Sequence, residues 1–228
     1  MRAPISVVIP VLNGAEALPG CAAALMEGVE AGLIREVIVS DGGSRDSSAR
    51  VADDMGALWV TGPASRGGQL RRGCARAQGA WLLVLHADTQ LSAGWTGCVA
   101  AHLSQAEEAA GYFRLAFDAG GRPARCVAAW ANLRARLFGL PYGDQGLLVP
   151  RTLYDAVGGF ADIPLMEDVA MARALRGRLR LLDGTAVTSA GKYQRGGWVR
   201  RGTRNLGTLL RYFAGASPED LAERYRKP

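Results

Sequence analysis

Five apolar residues in a row, Trp81-Leu82-Leu83-Val84-Leu85, run straight into His86-Ala87-Asp88. A strand with one wet face alternates polar and apolar residues. An unbroken apolar run instead predicts a strand covered on both faces, the condition of parallel sheets flanked by helices. Open sheets of that kind bind ligands beyond the carboxyl ends of their strands. Asp88 is therefore a candidate ligand contact. Alternation along an extended chain predicts that His86 and Asp88 point to the same side, a pair suited to holding a divalent cation against phosphate.

The sequence before this run repeats a strand–helix rhythm. Ile5–Ile9, Arg35–Ser40 and Leu58–Val60 read as strands, and Ala15–Ala31, Ser44–Met55 and Arg66–Gln78 as helices. Helix-length segments between strands imply βαβ units and a mostly parallel sheet. Beyond Asp88 the rhythm loosens. Helices are expected over Leu91–Ser104, Pro123–Phe138, Arg151–Val157, Met166–Arg176 and Trp198–Phe213, with strands at Gly111–Phe117 and Gly146–Val149. The expectation is one α/β domain over 1–228, its central sheet flanked by helices and followed by a C-terminal helical segment. Its expected parts are a nucleotide-binding half (1–90), an acceptor and catalytic half (91–190) and a basic helical tail (191–228).

At 228 residues and 49% hydrophobic content, the chain has material for one core. Four scattered cysteines and two histidines argue against a disulfide scaffold or a structural zinc site. No N-terminal stretch has the regions of a signal peptide in order, and no apolar run approaches a membrane span. The expected location is the cytoplasm, or the inner face of the membrane as a peripheral protein. Net charge is +6, and the segment from Gly184 to Pro218 carries six basic residues and no acid. That favours an anionic partner. Trp198, Tyr212 and Phe213 among these arginines offer an amphipathic surface for peripheral membrane contact, or else a helix packing its aromatics on the core. No nucleic-acid motif is present, and no nucleic-acid partner is expected.

Four places carry residues suited to chemistry. Pro10-Val11-Leu12-Asn13-Gly14 follows the first strand. Pro10 ends that strand by removing a donor, and Asn13-Gly14 is turn chemistry. Asp41-Gly42-Gly43-Ser44-Arg45-Asp46 follows the second strand. Its glycines let backbone N–H groups approach a ligand, Ser44 can cap the next helix, and Asp41 can accept from a ribose or a base; a capped turn with a solvated Asp41 is the competing reading. The third place is His86-Ala87-Asp88-Thr89. There Asp88 suits a hard cation shared with substrate phosphates, and His86 suits a metal, a phosphate or a structural role. The fourth is Gly158-Gly159-Phe160, followed by Pro164-Leu165-Met166-Glu167-Asp168. Neither acid has a cation three or four residues downstream. A helical ion pair thus fails to explain them, leaving helix-dipole placement or a general base.

In order and combination these residues resemble family 2 glycosyltransferases of the GT-A fold, over essentially the whole chain. Ser6 to Asn13 is similar to the family's opening strand and nucleobase loop, and Asp41 to Asp46 to its second nucleotide motif. His86-Ala87-Asp88 stands where the family's Asp-x-Asp metal motif belongs, and Glu167-Asp168 where its base lies. The His-Ala-Asp-Thr form, Gly143-Asp144-Gln145-Gly146 and Pro-Leu-Met-Glu-Asp resemble in particular a bacterial subfamily of short members, the radical-SAM/selenodomain-associated transferases. Gly14 stands where many members carry Glu, and Arg71 where relatives often carry Asn.

The resemblance implies inverting transfer of a sugar from a nucleoside diphosphate, UDP by family habit, to an acceptor hydroxyl on a lipid or small molecule. It implies nucleotide contacts at Pro10, Val11, Leu12, Asn13, Asp41, Gly43, Arg66, Gln69 and Asp88. Mg²⁺ or Mn²⁺ would sit at Asp88 and His86. Asp168 would be the base, assisted by Glu167, and Asp144, Gln145 and Gly159 would meet the sugar or acceptor. Two other classes compete. A nucleotidyltransferase would need a basic Gly-rich first loop, whereas Pro10–Gly14 holds no Lys or Arg. The other is a binding module for membrane or nucleic acid.

Overall fold

The structure, a computed structural model, describes residues 3–105 and 108–226. Its first half alternates as the sequence predicts: β1 (Ile5–Val11), α1 (Leu18–Glu30), β2 (Ile34–Asp41), α2 (Ser48–Asp54), β3 (Leu58–Thr61), α3 (Arg66–Arg76) and β4 (Trp81–Val84). There follow β5 (Thr89–Leu91), α4 (Trp95–Gln105), β6 (Ala110–Phe117), α5 (Arg122–Phe138), a 3-10 turn at Gly143–Gln145, β7 (Leu147–Pro150) and α6 (Arg151–Ala156). The chain continues through α7 (Glu167–Ala174), β8 (Leu179–Thr188), α8 (Gly191–Gly196), α9 (Trp198–Phe213) and α10 (Pro218–Arg226).

Eight strands form one sheet in the order β3-β2-β1-β4-β7-β6-β8-β5. The first four are parallel, while β7 runs antiparallel to both β4 and β6, and β5 antiparallel to β8. The sheet is thus mixed: its four-stranded parallel run lies in the first half, and in the second half β6 and β8 pair in parallel between antiparallel neighbours. The apolar run behaves as a doubly covered strand should. Leu83 and Leu85 enter one core cluster with Ile5, Val7 and the α1 residues Leu18, Cys21 and Leu25. Leu82 and Val84 enter a second, with Leu70, Tyr154, Phe160 and Leu175.

Several local expectations are corrected. β1 continues through Pro10, which lies opposite Ser40. Val8 bonds toward β4, accepting from the Leu85 N–H, and the β4 ladder ends there. Pro10, two residues on, faces the same way, where no strand needs its missing donor. Residues 44–47 are loop, so α2 begins at Ser48 rather than Ser44. Leu91 closes β5 and does not open a helix. Asp88 lies in a turn closed by the Thr89 N–H on the His86 carbonyl, so strand alternation does not govern its direction. Trp198 faces inward against Phe117 and Tyr193, and Tyr212 packs on a third core cluster, while Phe213 stays exposed.

Candidate active site

β1 leads through its helix to β2 on one side, whereas β4 sends the chain to the other side of the sheet. The crevice between their carboxyl ends is the topological switch point where such sheets bind ligands. A cleft of about 710 Å³ opens there, lined by Leu12, Asn13, Arg66, His86, Asp88 and Lys192 among others. Pro10, Val11 and Gln69 also border it.

The first two loops are stitched together. The Asn13 N–H donates to Ser44 Oγ at 2.7 Å, the Gly14 N–H to Ser48 Oγ and the Ala15 N–H to Asp46 Oδ2. In return the Arg45 N–H donates to Asn13 Oδ1 at 2.9 Å. Asn13 adopts φ 54°, a left-handed conformation that Asn tolerates best among residues with a Cβ. Ser44, expected as a helix cap, serves this stitch. Asp41 is buried, and its carboxyl accepts the N–H groups of Gly43 and Ser44 at 2.8–3.1 Å. It shapes the loop from beneath. Gln69 is buried too, donating to the Val11 and Ser40 carbonyls and so clamping the ends of β1 and β2.

Arg66 opens α3 at the cleft's inner edge. Its Nε lies 3.1 Å from Glu167 Oε1, and its Nη2 lies 2.5 Å from His86 Nε2. Nη2 also lies 3.1 Å from Nδ1; a guanidinium only donates, so the ring nitrogen it bonds must accept, which requires neutral imidazole. Burial, then Arg66 and Lys192, holds the His86 pKa well below its usual value, in agreement. The acids of the fourth motif therefore do have a cation, but a distant one in sequence. Glu167 is buried, and desolvation, followed by the neighbouring Asp168, pushes its pKa up to about 7 against the pull of Arg66.

Beyond Arg66 lies an inner chamber of about 140 Å³, bordered by Tyr142, Gly143, Asp144, Asp168 and Tyr193. Arg66, His86, Asp88 and Lys192 border both spaces. The Gly143 N–H donates to Asp168 Oδ2 at 2.9 Å, and the Val169 N–H to Oδ1 at 2.7 Å, which fixes the carboxyl. A Cβ on Gly143 would come within 2.4 Å of His86 Nε2, so any side chain at this turn would have to displace the His86 ring. Asp144 has a buried Oδ1 without a partner among the described residues, and burial pushes its pKa up to about 6. Met166, just before the two acids, is held at φ 68°. Among the described residues, it and Asn13 alone combine a side chain with positive φ; Asn13 lines the cleft and Met166 the inner chamber.

Four expected contacts lie outside these linings: Asp41 and Gly43, which sit beneath the second loop, and Gln145 and Gly159. Gln145 is fully buried; it donates to the Phe113 carbonyl and accepts the Tyr142 N–H. Gly159 makes a turn at φ 70° that seats Phe160 against Tyr154.

Sequence reasoning missed Lys192, whose Nζ lies 3.7 Å from Asp88 Oδ2. The Ser189 N–H on the Asp88 carbonyl and the Ala190 N–H on Asp118 position it. Its signal was the acid-free basic segment, which pointed to an anionic partner without assigning Lys192 to the site. Tyr142 and Tyr193 were missed because lone tyrosines carry no motif. Among the described residues no group of three metal-capable side chains occurs.

The sequence matches the family model described as Glycosyl transferase family 2 over residues 6–160. No curated protein matches the chain significantly. Among solved structures it is similar to glucosyl-3-phosphoglycerate synthase from Mycobacterium tuberculosis in complex with Mn²⁺, uridine diphosphate and glucosyl-3-phosphoglycerate. That likeness has a TM-score of 0.57 and 21% identity, covering 90% of this chain and 78% of the other. It is also similar to S. aureus TarS 1–349, with a TM-score of 0.62 and 14% identity, over 96% of this chain and 68% of that one. Another TarS structure is covered for only 39% of its length.

Proposed function

The chain belongs to glycosyl transferase family 2, and from that premise we propose that it transfers a sugar from a nucleoside diphosphate to an acceptor hydroxyl, with inversion. One observation carries the reading. A nucleotide-sized cleft at the switch point runs past Asp88 into a chamber where Asp168 is held by two backbone N–H groups. The solved neighbours that bind uridine diphosphate or UDP-glucose favour UDP as the nucleotide. The motif set Gly143–Gly146 and Pro164–Asp168 favours the radical-SAM/selenodomain-associated subfamily.

The nucleoside would lie along Pro10, Val11, Leu12 and Asn13, with Asp41, Gly43 and Gln69 shaping the loops beneath it. Residues 1–90 would thus serve the donor, 91–190 the acceptor and the chemistry, and 191–228 would lend Lys192 and Tyr193. Mg²⁺ or Mn²⁺ usually takes one or two carboxylates and fills its remaining positions with water and substrate phosphate. Asp88 supplies one carboxylate facing the cleft, which fits that donor set; both ring nitrogens of His86 lie within reach of Arg66 Nη2. Bound there, the cation would stabilise the leaving diphosphate as a Lewis acid. Lys192 adds a protein charge at the same point, and Arg66 orients His86 and Glu167. Asp168 takes the proton from the acceptor hydroxyl as it attacks the anomeric carbon. Asp144 lies beside it, ready to accept from a sugar or acceptor hydroxyl.

The test is Asp168→Asn. Thermal shift with UDP-glucose and Mn²⁺ should match wild type, while release of uridine diphosphate falls ~10²–10⁴-fold, the usual loss of a general base. An Asn variant that turns over at the wild-type rate would remove Asp168 from the mechanism.

A further inference from the structure

Among the described residues, thirteen large apolar side chains are exposed, and eight of them lie on two adjoining helices. On α5 they are Trp130, Leu133, Leu137 and Phe138; on α9 they are Val199, Leu206, Leu210 and Phe213. The spacing is helical: 126, 130, 133 and 137 form one outward stripe on α5, and 199, 206 and 210 another on α9. The two stripes meet, because Trp130 and Leu206 border the same narrow groove between the helices. One continuous apolar face results.

Charge says what covers it. Together α5 and α9 hold eight arginines and no acid. Arg134 is buried over the Tyr142 ring and Arg201 donates to Tyr225, but Arg122, Arg125, Arg136, Arg200 and Arg211 are exposed. An apolar ridge flanked by exposed arginines is the pattern of an interfacial surface, with side chains entering the acyl boundary and cations meeting anionic headgroups. The groove also shares Tyr142, Asp144 and Tyr193 with the inner chamber.

We infer that the α5–α9 face docks on a bilayer containing anionic lipid and turns the inner chamber toward it. The inference stands on exposure and charge, independently of sugar transfer.

Co-sedimentation tests it, using vesicles of phosphatidylcholine alone or mixed with phosphatidylglycerol. Wild type should partition onto the mixed vesicles on the order of tenfold better, with the advantage shrinking at high salt. The variant Trp130→Ser/Leu133→Ser/Leu210→Ser should lose about tenfold or more. Arg122→Glu/Arg200→Glu should lose binding without affecting the apolar face. All these positions are exposed, so melting temperatures should stay near wild type. A second readout needs no ridge substitution. Cys126 is exposed on the α5 stripe, whereas Cys21 and Cys74 are buried and Cys98 half-buried. A nitrobenzoxadiazole label on Cys126, in a Cys98→Ser background, should shift to the blue on mixed vesicles. An unshifted label with no partitioning, or equal partitioning of wild type and the serine variant, overturns the inference. So does a vesicle-free dimer that the serine variant abolishes, which would assign the face to a second copy.

Discussion

At the level of single residues, the site contrasts acids held by backbone N–H groups with an acid whose buried oxygen has no partner among the described residues. Asp41 and Asp168 both accept backbone N–H groups, which fixes their direction. Asp144 is the exception, through its Oδ1. Its raised pKa has a consequence for stability. In the unfolded chain the group titrates near 3.8, and in the fold near 6. The protonated form is therefore the one the fold favours. Its stabilising contribution is full below about pH 4 and is lost as pH rises through about 6. Asp144→Asn should thus gain melting temperature relative to wild type between about pH 4 and about pH 8, in ligand-free protein. A difference independent of pH would contradict that environment. Asp41 and Asp168 were legible in the sequence because one ends a strand and the other opens a helix, whereas Asp144, in a 3-10 turn, was named only through the family resemblance. The partners of the site's acids were not legible. Arg66 precedes Glu167 by a hundred residues, and only folding reveals that α3 and α7 meet at that pair.

Among the elements, the α3–α7 junction controls alignment. The Gly67 N–H donates to the Ile163 carbonyl at 3.0 Å, and a Cβ on Gly67 would fall 1.9 Å from the Ala161 carbonyl oxygen. The obstacle is backbone, so it cannot rotate away. Gly67→Ala should cost about 1–3 kcal/mol in urea unfolding, the usual range for overpacking. It should also weaken turnover beyond that loss by parting Arg66 from Glu167. Wild-type stability with wild-type turnover would contradict the close packing. The parallel strands were readable because a doubly buried strand is apolar throughout. β8 was not, because Asp183-Gly184 in its middle reads as a turn. It is an irregularity in register: Tyr112 lies opposite Leu181 and Arg114 opposite Thr185, so β8 carries two extra residues there. A Cβ on Gly184 would sit 3.1 Å from the Phe113 ring, a tight approach. β5 escaped for a different reason: its three residues are too short for any periodicity.

Across the whole molecule, the sheet joins a parallel half that carries the first two cleft loops to a mixed half that carries Asp144 and, through α7, Asp168. Neither half alone encloses the chamber, and Lys192 arrives from the segment after β8. Nucleotide-sugar binding is accordingly a property of the complete fold, and it is the premise on which every catalytic assignment rests. Its direct measurement is a thermal-shift panel of nucleotide sugars, UDP-glucose among them, with and without Mn²⁺, on wild type and on Asp88→Asn. At least one nucleotide sugar should raise the melting temperature, on the order of 5–10 °C at a hundredfold excess over its Kd. The Mn²⁺-dependent part of that rise should vanish in Asp88→Asn. Indifference of the wild-type protein to every nucleotide sugar, with and without Mn²⁺, would contradict sugar transfer at this cleft.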